Sequence, residues 1–203
     1  MKKLAMLFGA GALALAFTAT QAQAQAPARI RGTITAFDGK VLSVKTREGD
    51  DVRIRLADHF GVRAAQAASL ADIKPGDFVG PASRRMPDGS LVAISLQVFP
   101  AALRGVVPEG QMAWDLEPGS LMTNATVAGV MSASNGRELT LEYKGGAQKV
   151  LVPEGAPIFT TVPGDAALLV PGAYLFTIAR READGSFSAA RVTVSKDGVR
   201  PAN

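Results

Sequence analysis

The 203-residue chain has no cysteine, a single histidine, a single tryptophan and only two tyrosines. Without cysteine there is no disulfide staple and no thiolate nucleophile, so any core must hold by burial alone. With His59 as the only imidazole, a histidine-cluster metal centre is excluded, and a Ser-His-Asp site would depend on that one base. Ser69 and Ser90 stand in no nucleophile-elbow motif, so no catalytic residue is assigned and the chain is read as a non-enzyme. The shortage of aromatics also argues against nucleic acid, because single-strand binding relies on stacking platforms. Beyond the N-terminus there is no apolar run of the roughly 20 residues needed to cross a bilayer, so no transmembrane span is expected in the mature protein.

The N-terminus itself carries Lys2-Lys3, the apolar run from Leu4 to Ala19, and Ala22-Gln23-Ala24. A charged start, a short apolar middle and an A-x-A site read as a cleavable signal peptide over residues 1–24 and place the mature protein in the periplasm. An uncleaved anchor is the rival reading, but the run is short and a Gln/Ala-rich segment follows it. Of 22 basic and 18 acidic residues, cleavage removes two lysines, which leaves a net charge of +2.

What the chain does have is repetition. Arg84-Arg85-Met86-Pro87-Asp88-Gly89-Ser90 returns ninety-six positions later as Arg180-Arg181-Glu182-Ala183-Asp184-Gly185-Ser186. Lys74-Pro75-Gly76 returns as Val170-Pro171-Gly172, and Ala93 as Ala189. Upstream the offset slips by one, pairing Gly32, Asp38-Gly39 and Leu42 with Gly129, Asn135-Gly136 and Leu139. Alternation over Ile30–Phe37, Val41–Thr46 and Val52–Leu56, broken by Asp-Gly and Gly-Asp turns, marks three strands. The alanine-rich stretch Val62–Ile73 is expected as a short helix, and Asp77–Arg84 with Leu91–Phe99 as a closing hairpin. The second copy repeats this order, with its helical slot reduced to Pro157–Val170. The expected fold class is therefore all-β: two tandem OB-like five-stranded barrels, at residues 25–100 and 125–199, joined by an ordered connector at 101–124 and followed by a tail at 200–203.

Gly32-Thr33-Ile34, Asp38-Gly39, the run Ser69-Leu70-Ala71-Asp72-Ile73-Lys74-Pro75-Gly76-Asp77-Phe78-Val79 and Asp88-Gly89-Ser90 carry a resemblance. They are similar to the small, exported bacterial β-barrel domains catalogued as a domain of unknown function. The resemblance covers the first copy; the second departs from it, with Pro171-Gly172-Ala173-Tyr174 where the family has Gly-Asp. It implies a barrel fold and no established reaction.

Four places are candidates for chemistry. The connector holds Trp114, Asp115 and Glu117, and a segment that spends the only tryptophan between two barrels is either a hydrophobic strap or the lining of an interdomain groove. Arg53 and Arg55, with Lys45, Arg47 and Arg31, form a basic strand face, read as solvated or as a site for an anionic envelope polymer or lipid headgroup. His59, Asp58, Met112 and Met122, with Asp115, Met86 and Met131 as further donors, supply the ligand types of a copper or zinc site without the spacing of one. The duplicated Arg-Arg-x-x-Asp-Gly-Ser is read as a turn whose arginines bridge back to Asp88 or Asp184. The resulting expectation is a non-catalytic periplasmic binding or structural protein of the cell envelope, without cofactor, its partner an unknown envelope ligand or protein. The alternative is a metal-handling protein.

Overall fold

The computed structural model describes residues 27–201; the expected signal peptide at 1–24 lies outside them. A meander of β1 (Ala28–Phe37), β2 (Val41–Thr46) and β3 (Asp51–Ala67) is followed by a hairpin of β4 (Phe78–Arg85) and β5 (Leu91–Val98). The connector contributes β6 (Gly110–Ala113) and runs into β7 (Leu121–Ala133), β8 (Gly136–Tyr143), β9 (Gly146–Pro153) and β10 (Ile158–Gly164). A second hairpin, β11 (Tyr174–Arg181) and β12 (Phe187–Val194), completes the twelve strands. Alternation does what it implies: Ile30 and Ile34, Leu42 and Val44, and Ile54 and Leu56 are buried, while Arg53 and Arg55, which alternate with the last two, are exposed.

The helix expected over Val62–Ile73 is not formed. Residues 62–67 instead extend β3, because all six are paired antiparallel with Phe159–Gly164 of β10 and the first three also in parallel with residues 192–194 of β12. Two hydrogen-bonded ladders and the burial of Val62, Ala64 and Ala65 outweigh the modest helix preference of alanine. Only Leu70–Asp72 is helical, a single 3₁₀ turn whose Ala71 N–H is taken by Ser69 Oγ. In the second copy the slot likewise becomes strand β10, then a 3₁₀ turn at Ala166–Leu168.

This extension decides how the barrels close. The seventeen residues of β3 carry the chain on past Leu56, through a bulge that sets Leu56 and Gly61 against Ala189 and Arg191 of β12, so the hairpin that follows is paired away from the strands that precede it. β1–β3 are closed into a five-stranded ring by β11 and β12, through β1–β11 antiparallel and β3–β12 parallel pairing. β4 and β5 are paired instead with β7 and, at Val92↔Leu151, with β9. The two apolar cores follow the same division. One combines Ile34, Leu42 and Ile54 with Leu175, Phe187 and Val192; the other combines Val79, Leu91 and Leu96 with Val127, Leu139 and Val150. The expected boundaries, 25–100 and 125–199, therefore do not enclose separate barrels: each ring takes three strands from one half of the chain and the last hairpin from the other.

The exchange is symmetric. Ser188↔Arg55 and Val92↔Leu151 are the same pairing at the ninety-six-residue offset, as are Val192↔Val62 and Leu96↔Ile158. β9 and β10 together thus do for one ring what β3 does for the other. Where β3 and β10 meet, Ala65 lies opposite Thr161, its own counterpart, so a local two-fold passes between them. Ile34 bonds the backbone of Gly172 and Ala173 as Val127 bonds that of Gly76 and Asp77. Ile34 thus corresponds to Val127, and the expected match of Gly32 with Gly129 does not hold, because the β7–β8 hairpin is longer.

The chain's lack of cysteine makes the exchange easy to check. Arg55→Cys with Ser188→Cys is expected to form a cystine on mild oxidation, since the two positions are direct neighbours across β3 and β12. Arg55→Cys with Val92→Cys, the neighbours required if each copy closed on itself, is expected to stay reduced. Non-reducing gel mobility reads the difference, and the reverse result would restore two self-contained barrels.

Candidate functional site

The connector is built as a clamp. After β6 pairs with β7, the chain turns tightly: Trp114 N–H donates to Ser120 O at 2.8 Å, Ser120 N–H to Glu117 O at 3.0 Å, and Glu117 N–H to Ser120 Oγ at 3.2 Å. From this loop three neighbouring side chains reach different places. Trp114 lies against the first ring, with the Arg29 guanidinium 4.0 Å from its ring centre and Phe176 of β11 at 6.4 Å. Asp115 Oδ1 is 2.9 Å from Arg31 Nη2 on β1. Glu117 takes both Nε and Nη2 of Arg84 on β4, at 3.2 and 2.7 Å, and so holds the second ring. Arg47 adds hydrogen bonds to the carbonyls of Asp115 and Leu116.

Under this clamp lies a groove of about 650 Å³ lined by Arg31, Ile94, Leu116, Phe159, Tyr174 and Arg200, among others. Its walls come from both rings, the connector and the C-terminal segment. Arg31 alternates with Ile30 and Gly32 and therefore faces away from the barrel core. A solvated cation was expected there; instead Arg31 is 3 % exposed. It is covered by Phe176, 4.9 Å from its guanidinium, and by Trp114 at 5.7 Å. Nothing local in the sequence signals this burial, because the cover arrives from a segment some eighty residues away. Arg200, from the expected tail, stacks on Tyr174 at 5.2 Å.

Of the residues singled out from sequence, Trp114, Asp115 and Glu117 are thus brought together at the clamp. Arg53 and Arg55 are not part of it. Arg53 lines a separate hollow that also holds Glu48, Asp50 and Arg181, and Arg55 another beside Ile178 and Arg180. Met112 and Met122 are direct cross-strand partners on β6 and β7. Asp58 and His59 sit at exposed positions of β3, with three strands between it and β7 in the sheet order, and Asp58 is 3.4 Å from Lys40. Among the described residues no three His, Asp or Glu side chains gather into a metal-holding group.

The duplicated turn is satisfied from within. In each copy the aspartate Oδ1 accepts the serine N–H at 2.9 Å and its hydroxyl at 2.6 Å, for Asp88 with Ser90 and for Asp184 with Ser186. Gly89 and Gly185 adopt φ of +85° and +83°, a region open to glycine at little cost. The expected bridges from the arginines to these aspartates are replaced by others: Arg84 reaches Glu117 and Arg180 reaches Glu182. The serine hydroxyl first, then the serine N–H, hold both carboxyls below the usual aspartate range.

Two outcomes follow from this geometry. A carboxyl whose pKa is depressed by folding stabilises the folded state above its unfolded value, and that contribution fades as pH falls through the folded value. Asp88→Asn with Asp184→Asn, which keeps the turn but not the charge, is expected to flatten the fall of the urea midpoint below about pH 4. Trp114→Ala removes the cover over Arg29 and Arg31 and is expected to cost about 2 kcal/mol in denaturant unfolding, less than a fully buried aromatic. A loss near zero would mean that the connector does not clamp the rings. The chain matches no known protein family, and neither the curated proteins nor the solved structures give a significant match.

Proposed function

We propose that this is an exported, non-catalytic binding protein of the bacterial cell envelope, related to the small exported barrel domains that its first-half motifs resemble, and that the groove beneath the connector is where it binds. One observation carries this reading. Two rings, a clamp and a C-terminal segment converge on one concave surface, which combines apolar walls with two arginines, the usual make-up of a ligand site. The exposed strand face with Arg53 and Arg55 is a weaker candidate, because Asp38 and Asp184 lie close enough to interact electrostatically with its cations.

Metal handling, the second reading, rests on Met112 and Met122 standing opposite one another on β6 and β7. Paired methionines suit a soft cation such as Cu(I), but methionine is as often a filler between strands.

Native mass spectrometry with elemental analysis on protein taken from the periplasm tests these readings together. The mature mass is expected to begin at Gln25, and an intact Met1 would overturn export. A bound non-protein mass is expected on the wild-type chain and absent from Ala67→Phe, which places a ring at an exposed position lining the groove. A mass retained by that variant, or no bound mass at all, counts against the groove. Stoichiometric copper lost on Met112→Leu would put metal handling ahead.

A further inference from the structure

Arg31 is the only charged side chain fully buried among the described residues. A guanidinium carries five donors and cannot shed its charge, so burial obliges the protein to answer it. Nε and Nη2, the two donors along one edge, are both buried without a hydrogen-bond acceptor. Asp115 Oδ1 lies 2.9 Å from Nη2 yet out of line with its N–H, so it balances the charge without engaging the edge. The Asp115 side chain is 44 % exposed and belongs to a loop, so solvent can take it back readily.

The fold does not demand a cation here. Three residues before Ile34 stands Arg31; three residues before its counterpart Val127 stands Asn124. Asn124 is also buried, but it is neutral and donates Nδ2 to Pro108 O at 3.0 Å, beneath β6. Arg200 shows the same contrast with Arg104, ninety-six positions earlier. Each stacks on the aromatic ring at the start of a hairpin, Tyr174 or Phe78. Arg104, however, is tied to Gly76 O and Thr126 Oγ1 at 2.7 and 2.8 Å. Arg200 has no such acceptor among the described residues and lines the groove instead.

We propose that the groove takes an oxyanion, a carboxylate or phosphate group of its ligand, on the Nε/Nη2 edge of Arg31, with Arg200 as a second cation and Asp115 as a resident substitute that the ligand displaces. The forked edge of arginine matches two oxygens of either group at once. Phe176 and Trp114 hold the fork in place, and exclusion of water strengthens the bond. This assignment names the ligand chemistry of the binding region proposed above and rests on that reading.

Trp114, the only tryptophan and 5.7 Å from the Arg31 guanidinium, makes intrinsic fluorescence the readout. Mature protein is titrated with sodium benzoate and, separately, with inorganic phosphate, at constant ionic strength against sodium chloride. A saturable change with benzoate assigns a carboxylate, and one with phosphate alone assigns a phosphoryl group. Arg31→Lys keeps the charge but loses the fork, and is expected to weaken binding about tenfold. Asp115→Asn removes the competing carboxylate and is expected to tighten it. No saturable response, a response undiminished in Arg31→Lys, or weaker binding by Asp115→Asn would overturn the proposal. If the anions fail while a co-purified mass is still lost on Ala67→Phe, the groove stands and only the oxyanion falls; if both fail, the groove falls as well.

Discussion

The extension of β3 past Leu56, where Val62–Ala64 are paired on both flanks, is the constraint from which the rest of the architecture follows. Its first half closes a ring with β2 and β12, and its second half is held between β12 and β10. A strand that ended at Leu56 would let the next hairpin fold back on its own meander. Because this one continues to Ala67, the β4–β5 hairpin is delivered to the other half of the chain, and β11–β12 is received in return. The β3–β10 ladder is then the seam of the molecule. There Arg63 crosses to Thr161, donating Nε to its hydroxyl at 2.8 Å and Nη2 to its carbonyl at 2.6 Å. Arg63 loses hydration at this seam, which lowers its pKa, and the two bonds are what offset that loss.

Exchange makes the rings mutually dependent. Each core lacks its last two strands unless the other half is folded, so neither half has a closed sheet of its own to populate first. Pairings between residues more than a hundred positions apart, such as Arg55 with Ser188, carry a large loop-closure entropy, and folding with such a high contact order is slow. The clamp works against the same cost. By gripping Arg31 and Arg47 on one side and Arg84 on the other, the connector restrains the two rings from separating at the groove, beyond the end of the sheet seam at Ala67 and Phe159.

Strands and turns were largely legible in the sequence because their causes are local. Val41–Thr46 was expected with the bounds it has, and Asp88-Gly89 turns as its dipeptide implies. The helix over Val62–Ile73 was misread for the complementary reason: an alanine-rich stretch has weak preferences, and the partners that settle the matter lie over ninety residues away. The exchange could not be read at all. Self-closure and exchange place the same residue types side by side, since β5 and β12 carry the same alternation of apolar and polar residues, and alternation is blind to which of the two is present. At the site, Trp114, Asp115 and Glu117 drew attention as a rich segment in place of a linker. Arg31 did not, because alternation correctly placed it outside the barrel but could not say that another segment would cover it.

The same correspondence shows what opens the groove beside Arg31. On the second ring, Gly80 occupies the place that Phe176 holds on the first; a Cβ at Gly80 would fall 2.7 Å from Asn124 Oδ1 and 2.8 Å from the Phe99 ring. Glycine there lets Asn124 and Phe99 close in, and Phe99 packs on Phe78 with ring centres 5.0 Å apart. The counterpart of Phe99 is Ser195, whose hydroxyl only caps the backbone of Tyr174 at 2.9 Å. Replacing a glycine by a phenylalanine, a phenylalanine by a serine and an asparagine by an arginine converts a sealed, neutral junction into an open one containing a buried cation. Stability alone favours the sealed version, since burying an incompletely bonded charge is costly. That one copy carries the costly arrangement while the other shows how to avoid it is the physical reason to look for function at Arg31 rather than elsewhere on the fold.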